Sequence, residues 1–315
     1  MRDTHLRNVD LNLLFALDAL LQERNVTRAG ERLCISQPAM SASLGKLRRH
    51  FNDQLLERQG LRYVLTPLGV TLRDQVAETL RSAQRTFDTQ RDFDEANSDR
   101  EFHLIASDYA QAVLGGHLIR LAESEAPQVR LRFENVSVRT VDDLESRMGG
   151  IDALLLPTGF VEGFPHFELF RDEWVCVAWS GNDEIGEGAT LDVLGESRRI
   201  STFDTGRTFT YADRQLDILD FRRSSVVADG FLATPFLLTG TRSVTLLPRR
   251  IAELTREPAA LRILPVHLDA PPLIESVWWH EAHNADPGHR WLRRLLRRAA
   301  GELALSGRPP GPSAA

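Results

Sequence analysis

The chain is 315 residues long, more than one ordinary core accommodates, and its 42% hydrophobic and 26% charged content is that of a globular chain of two or three compact units. No run approaches the roughly 20 apolar residues of a membrane span, and the start, Met1 to His5, lacks the apolar core of a secretory signal; the expected location is cytoplasmic, with no membrane partner. Net charge is −6 but unevenly spread: residues 1–66 hold ten Arg or Lys against seven acids, a head of +3 on a body of −9, the asymmetry expected when only the head approaches phosphate.

The first elements are closely spaced helices. Asp10 is placed to cap a helix whose apolar residues Leu11, Leu14, Phe15, Leu20 and Leu21 fall mostly on one side, ending near Asn25. Thr27 is read as the cap of a short second helix over 28–33. After a tight turn at Cys34 and Ile35, Ser36 caps a third helix with Pro38 in its first turn, where a missing N–H costs nothing. In that helix Met40, Leu44, Leu47 and Phe51 recur every three or four residues and form the buried stripe. Pro38, Ala42, Gly45, Lys46 and Arg49 then face outward, flanked by Gln37 and Ser41. This small, polar and basic face can be approached closely, and a pair of short helices presenting it suits insertion into a DNA major groove, although many helical hairpins are merely packed helices.

Residues 55–65 read as a small hairpin about Gly60, with Arg58, Gln59 and Arg62 at its tip: a wing. Thr66 and Pro67 open a long helix on which Leu68, Leu72, Val76, Leu80, Ala83 and Phe87 recur. Such a helix needs a partner for its stripe, which makes it a dimerisation helix, and the polar stretch Arg91 to Arg100 ends it. From Phe102 strands and helices alternate: strands at 102–106, 129–136 and 151–156, helices at 109–125 and 141–148, then strands at 174–179, 199–202, 225–228, 243–247 and 274–279. This is α/β with a parallel sheet, long enough for two similar lobes. A final helix runs from Asp286 to about Leu305, and Ser306 to Ala315 has the composition of a disordered tail.

Two cysteines, Cys34 and Cys176, each beside apolar residues, suggest buried thiols and neither a disulfide framework nor a cysteine zinc site; a redox switch is the sharper alternative. His280-Glu281-Ala282-His283 has its histidines three apart after a strand, whereas the zinc-protease motif needs them four apart on a helix. No Gly-rich phosphate loop follows the strands and no nucleophile turn occurs, so the reading is not an enzyme, with neither cofactor nor metal. An architectural DNA binder with an oligomerising body is the remaining rival.

The segment Asn25-Val-Thr-Arg-Ala-Gly-Glu-Arg-Leu-Cys-Ile-Ser-Gln-Pro-Ala-Met-Ser-Ala-Ser-Leu-Gly-Lys-Leu-Arg-Arg49, with Leu56-Glu-Arg-Gln-Gly60 and Leu65-Thr-Pro-Leu-Gly69, strongly resembles the LysR-type transcriptional regulators. Residues 6–14, Trp279-His280 and the run Asp286 to Arg293 resemble the branch of nodulation and aromatic-degradation regulators. The resemblance implies an α/β chain overall: an all-α winged helix-turn-helix over 1–65, a linker helix over 66–92, and a two-lobed α/β effector domain, similar to periplasmic binding proteins, over 100–305. Lobe one would comprise about 100–168 and 272–305, lobe two about 169–271. It implies that Gln37, Pro38, Ser41 and Ala42 meet the groove of a double-stranded DNA operator and that Arg58 and the wing touch backbone and minor groove; Thr27, Ser36, Lys46, Arg49 and Arg62 complete the set of expected DNA contacts. Gly30 stands where the family usually has Ala, Gly45 lies inside the recognition helix, and Leu61 replaces a common wing Arg. An inducer, an aromatic or organic acid, is expected between the lobes. The rule that ligands sit beyond the carboxyl ends of parallel strands selects Ser107, Asp108, Pro157, Thr158, Thr202, Phe203, Gly230, Phe231 and Thr234, with His280 added. Further implied partners are a second copy, as homodimer or homotetramer, and RNA polymerase.

Overall fold

A computed structural model of the chain describes residues 10, 12–60, 62–88, 93–136, 144–186, 197–202, 224–265 and 272–306. The chain divides into two compact units, Met1–Gln90 and Arg91–Ala315.

In the first unit, α1 (Asn12–Glu23) starts where Asp10 Oδ1 accepts the Asn12 backbone N–H at 3.0 Å. It buries Ala16, Leu17, Ala19, Leu20 and Leu21, whereas Phe15, expected in the stripe, is 52% exposed, the helical face having turned by one residue. The cap of α2 (Val26–Arg32) is Asn25 and not Thr27: the Asn25 side-chain oxygen accepts from the backbone N–H of Thr27 and Arg28, so Thr27 is a recipient of capping. Ser36 caps α3 (Gln37–Phe51) as expected, and Met40, Leu44 and Leu47 are buried against α1, with Phe51 partly so. Gly30 sits at the closest approach of α2 and the following turn, where an added Cβ would lie 2.9 Å from the Ile35 carbonyl oxygen.

Strands β1 (Leu56–Gln59) and β2 (Arg62–Leu65) form the antiparallel wing, with Gln59 opposite Arg62. Gly60 takes a φ of +61°, the left-handed value such a two-residue turn requires. The wing is tied to α4 (Pro67–Asp88) through Asp53, whose carboxylate accepts both the Leu55 N–H (2.6 Å) and the Thr66 hydroxyl (2.7 Å), while Thr66 Oγ1 in turn caps α4 by accepting from Gly69 N–H. Val76 of α4 is buried among the residues of α1 and α3, with Leu68, Leu72 and Leu80 packed alongside. Ala83 is exposed; Leu11, Leu61 and the Phe87 side chain lie outside what is described.

Among the described residues the second unit holds two five-stranded sheets. The first has the order β4 (Arg130–Asn135), β3 (Glu101–Ala106), β5 (Ala153–Pro157), β12 (Leu273–Trp278), β6 (His166–Asp172). The second runs β11 (Leu261–Ile263), β7 (Trp174–Trp179), β10 (Val244–Pro248), β8 (Arg199–Thr202), β9 (Ser224–Ala228). Each sheet is mixed, which corrects the all-parallel expectation: β3, β4 and β5 are parallel but β12 is antiparallel to β5, and β8, β9 and β10 are parallel but β7 is antiparallel to β10. Strands β6 and β11 were not anticipated. Because β6 belongs to the first sheet, the chain passes to the second at Glu173, slightly later than the boundary near 168 drawn from sequence.

Helices α5 (Asp108–Glu125), α6 (Leu144–Met148), α7 (Thr234–Leu238), α8 (Arg249–Thr255) and α9 (Pro287–Ser306) complete the described part of this unit, with a short 3-10 turn at Glu281–His283. The stripe Trp291, Leu292, Leu295, Leu296 and Ala299 of α9 is buried with Leu114, Leu118 and Leu121 of α5 in one core. The start of α9 is fastened to β5 by polar contacts. Arg100 bridges Asp152 (3.0 Å) and Asp286 (2.8 Å), and the His289 ring meets the Asp152 carbonyl at 2.6 Å. Burial, helped by neighbouring His283, holds His289 down to about 4, so it serves as a neutral imidazole. The tail beyond Ser306 is outside the described residues.

Candidate DNA-reading face and effector cavity

On the first unit, burial of Met40, Leu44 and Leu47 turns the opposite side of α3 outward, and Gln37, Pro38, Ser41, Ala42, Lys46 and Arg49 are all exposed on it. The Gln37 side-chain amide donates to Ser41 Oγ at 2.9 Å, which leaves the Gln37 carbonyl oxygen to accept from a partner. No large apolar side chain obstructs this face. Arg48, by contrast, is spent internally, donating to the carbonyls of Gln54 and Leu56. Ser36 and Thr27 are exposed at the entrances to α3 and α2. On the wing, Arg58 and Arg62 are exposed, and the Arg58 guanidinium donates to the Gly60 carbonyl at 3.1 Å, which orients it along the hairpin.

The second unit contains a cavity of about 100 Å3 between its two sheets. Ser107, Pro157, Thr158 and Phe231 of the sequence-selected set line it. So do Tyr109, Val136, Leu156, Phe160 and Trp174, and the run Pro272, Leu273, Ile274 and Glu275, none of which the sequence reading selected. Tyr109 and Trp174 pack at 6.1 and 5.9 Å, centroid to centroid, from Phe231, giving an aromatic wall.

The remaining selected residues do other work. Asp108 is a clasp between the lobes: its carboxylate accepts from the backbone N–H of Phe231 (3.1 Å) and Leu232 (2.8 Å) as well as from that of Tyr109. Gly230 is where a Cβ would lie 2.4 Å from Asp108 Oδ2, so the absence of a side chain permits the clasp. Thr234 is fully buried and donates to the Gly230 carbonyl at 2.7 Å, with Thr202 Oγ1 3.5 Å from it; both brace the turn behind Phe231. His280 caps the 3-10 turn by accepting from Ala282 N–H, away from the cavity wall. Phe203 lies outside the described residues.

Two acidic groups bear on the cavity: Glu275 lines it, and Asp172 is hydrogen-bonded to the lining residue Tyr109. Asp172 accepts the Tyr109 hydroxyl at 2.7 Å and the Arg250 N–H at 3.1 Å; burial raises it above the usual carboxylate range against those hydrogen bonds. Tyr109 is in turn raised by burial and by the Asp172 charge, and remains a phenol. Glu275 is fully buried, neither of its carboxyl oxygens has a hydrogen-bond partner among the described residues, and burial pushes it up to about 8.

Other chemistry suggested by the sequence finds little support in the geometry. His283 is buried and stacks on His289, 4.9 Å between centroids, and among the described residues no group of three or more His, Cys, Asp or Glu could hold a metal ion. Cys176 is buried, and burial pushes its thiol up to about 12, the opposite of a reactive thiolate. Cys34 is exposed, contrary to expectation, because the turn between α2 and α3 places it at a φ of +55° with its side chain outward. Among the described residues no helix is long and apolar enough to cross a membrane.

Residues 11–70 match the bacterial regulatory helix-turn-helix protein, lysR family. The chain is similar throughout to nodulation protein D 2 of Rhizobium tropici, 35% identical over 309 residues that cover 96% of both chains. In structure it is similar to a probable transcriptional regulator from Pseudomonas aeruginosa, with a TM-score of 0.73, 31% identity, and coverage of 93% of this chain and 98% of that one. The LysR family regulator CbnR shares the fold, with a TM-score of 0.63 at 17% identity over 93% and 99% of the two chains. A winged helix-turn-helix with an open polar face, a two-sheet body and full-length similarity to known regulators together place this chain in the LysR family, as a DNA-binding transcriptional regulator and not an enzyme.

Proposed function

We propose that the winged head (about 1–65), followed by a linker helix (66–92), reads a double-stranded operator with α3 in the major groove, while the body (100–305) binds a small aromatic inducer between its lobes. The observation that carries the DNA reading is the outward face of α3, where Gln37, with its carbonyl oxygen available, and Ser41 precede the exposed cations Lys46 and Arg49. Short polar side chains near the helix start suit base edges; the cations suit phosphate. Thr27, Ser36, Pro38 and Ala42 shape the approach, and Arg58 and Arg62 place the wing against the backbone.

The cavity wall of Ser107, Pro157, Thr158, Phe231 and Trp174 supports the effector reading, since an architectural binder has no use for an aromatic cavity between lobes. Occupancy would alter the equilibrium between lobe arrangements only through unequal affinity for them, and the Asp108 clasp at the cavity margin is the contact placed to feel it. Exposed Ile119, Leu232, Phe236 and Leu237 on the body supply apolar surface for self-association as a homodimer or homotetramer, and an inducible regulator acting in the cytoplasm also meets RNA polymerase.

The test is binding of the purified protein to the DNA upstream of its own gene, with salt titrated and competitor DNA present. Saturable binding that survives competitor and falls steeply with salt is expected. In the same assay Gln37→Ala should reduce operator preference by about 1 to 3 kcal/mol and spare non-specific binding. Equal loss on both DNAs would place Gln37 on phosphate, and no preference in the parent protein would defeat the operator reading.

A further inference from the structure

The carboxylate of Asp108 serves a lobe other than its own. It stands in the first turn of α5, where an acid ordinarily serves its own helix, but Ser107 already caps α5 by accepting the Ala110 N–H at 3.1 Å. Apart from the Tyr109 N–H, the Asp108 carboxylate reaches across to the second lobe, Oδ1 accepting from the Phe231 N–H at 3.1 Å and Oδ2 from the Leu232 N–H at 2.8 Å. One oxygen on each of two consecutive amides is how a backbone turn holds a free anion, and bonds to an ionised acceptor are about twice as strong as neutral ones.

The second lobe is shaped to receive it. An added Cβ at Gly230 would lie 2.4 Å from Oδ2 and 3.1 Å from the carboxyl carbon of Asp108, and all three of its nearest neighbours would be Asp108 atoms. Gly230 is not among the residues of positive φ, so alanine would adopt its backbone without strain, and what the missing side chain provides is room for the carboxylate. The Gly230 carbonyl and the Phe231 N–H belong to one peptide plane. The buried Thr234 hydroxyl holds the carbonyl end at 2.7 Å, which aims the N–H end at Asp108. Asp172 also crosses between the lobes, to the Arg250 N–H, but it does so at the crossover of the chain itself, whereas Asp108 bridges two elements that can part.

We propose that Asp108 is a built-in latch: a tethered anion by which the first lobe holds the second with the chain's own charge, so that closure of the body does not require an effector, and the operator contacts of the regulator answer to this latch. The latch itself is independent of what enters the cavity; its effect on DNA rests on the operator reading above. An effector then acts on an arrangement already closed, through unequal affinity for the latched and unlatched states.

Hydrogen exchange of the full-length protein, followed by mass spectrometry in the peptide 229–238, tests the latch, with sodium formate as the free carboxylate and sodium chloride of equal ionic strength as control. Asp108→Ala removes the anion, and Gly230→Ala displaces it while leaving Asp108 on α5. Each should raise exchange at Phe231 and Leu232 about ten-fold or more, with exchange in β3, β5 and α9 unchanged. Formate should restore protection in Asp108→Ala, where both amides are left open, and not in Gly230→Ala, where the new methyl takes the place of Oδ2. It should also change the operator footprint of Asp108→Ala and leave that of the parent as it is. Exchange rising equally in α5 and α9 would make Asp108 a stabiliser of the first lobe and no latch. No rise in Gly230→Ala, or no rescue by formate beyond that by chloride, would show that something other than the anion protects these amides, and the proposal is overturned. A rescued latch whose footprint ignores formate, in a variant that still prefers its operator to competitor DNA, overturns the regulatory half. No operator preference in the parent protein defeats the operator reading and that half with it, and the exchange result then stands alone.

Discussion

Glu275 shows how much one side chain can depend on its surroundings. Burial pushes its carboxyl up to about 8 from an ordinary 4.5, so the folded chain holds a proton that the unfolded chain has released. Stability should therefore fall as pH rises from about 4.5 to about 8 and then level off, by a few kcal/mol in all. Asp172, raised by burial and held by Tyr109 and the Arg250 N–H, contributes with the same sign. Glu275→Gln removes the larger part of this dependence, so Tm measured at pH 5.5 and pH 8 should drop more in the parent than in the variant; equal drops would mean that Glu275 is solvated or paired. Nothing in the composition of this strand announces such a residue. A lone Glu in Leu-Ile-Glu-Ser-Val-Trp reads as a solvent-facing strand position, and only its place in the middle of a sheet makes it buried.

At the level of elements, the helix-turn-helix depends on a close approach. Alanine is the better helix former by about 1 kcal/mol, which by itself would make Gly30→Ala stabilising. The added methyl would stand 2.9 Å from the Ile35 carbonyl, a backbone atom that cannot move without shifting the turn between α2 and α3. Gly30→Ala should therefore destabilise the first unit by about 1 to 2 kcal/mol in urea unfolding, a rise in stability being the result that refutes the steric account. The same elements show what was legible beforehand. Ser36 and Pro38 announced α3 because capping chemistry is local, and its buried stripe followed from spacing. Asn25 took the capping role assigned to Thr27 because both residue types suit it and only the path of the chain decides between them.

The whole body shows where such reading ends. The rule of ligands beyond the carboxyl ends of parallel strands selects Ser107, Pro157, Thr158 and Phe231, which line the cavity, and it passes over Trp174 and Pro272 to Glu275, which also line it, for one topological reason. Strands β7 and β12 run antiparallel to their neighbours, so their beginnings, not their ends, lie at the cavity: Trp174 pairs with Pro248, and Glu275 with Pro157. Strand direction is a property of the assembled sheet and leaves no mark in local periodicity. The same pairing has a consequence for how the body is built. Asp172, the last residue of β6, lies directly opposite Leu273, the first of β12. Topologically, everything from Glu173 to Pro272 occupies the tip of a single hairpin, and the second lobe is a domain-sized turn. A shortened chain running 93–172, Asn-Gly, then 273–306 has the strand ends already in register for a two-residue connection, and should fold as the first lobe alone with a cooperative thermal transition. A molten or aggregated product would show instead that the two lobes form one inseparable folding unit.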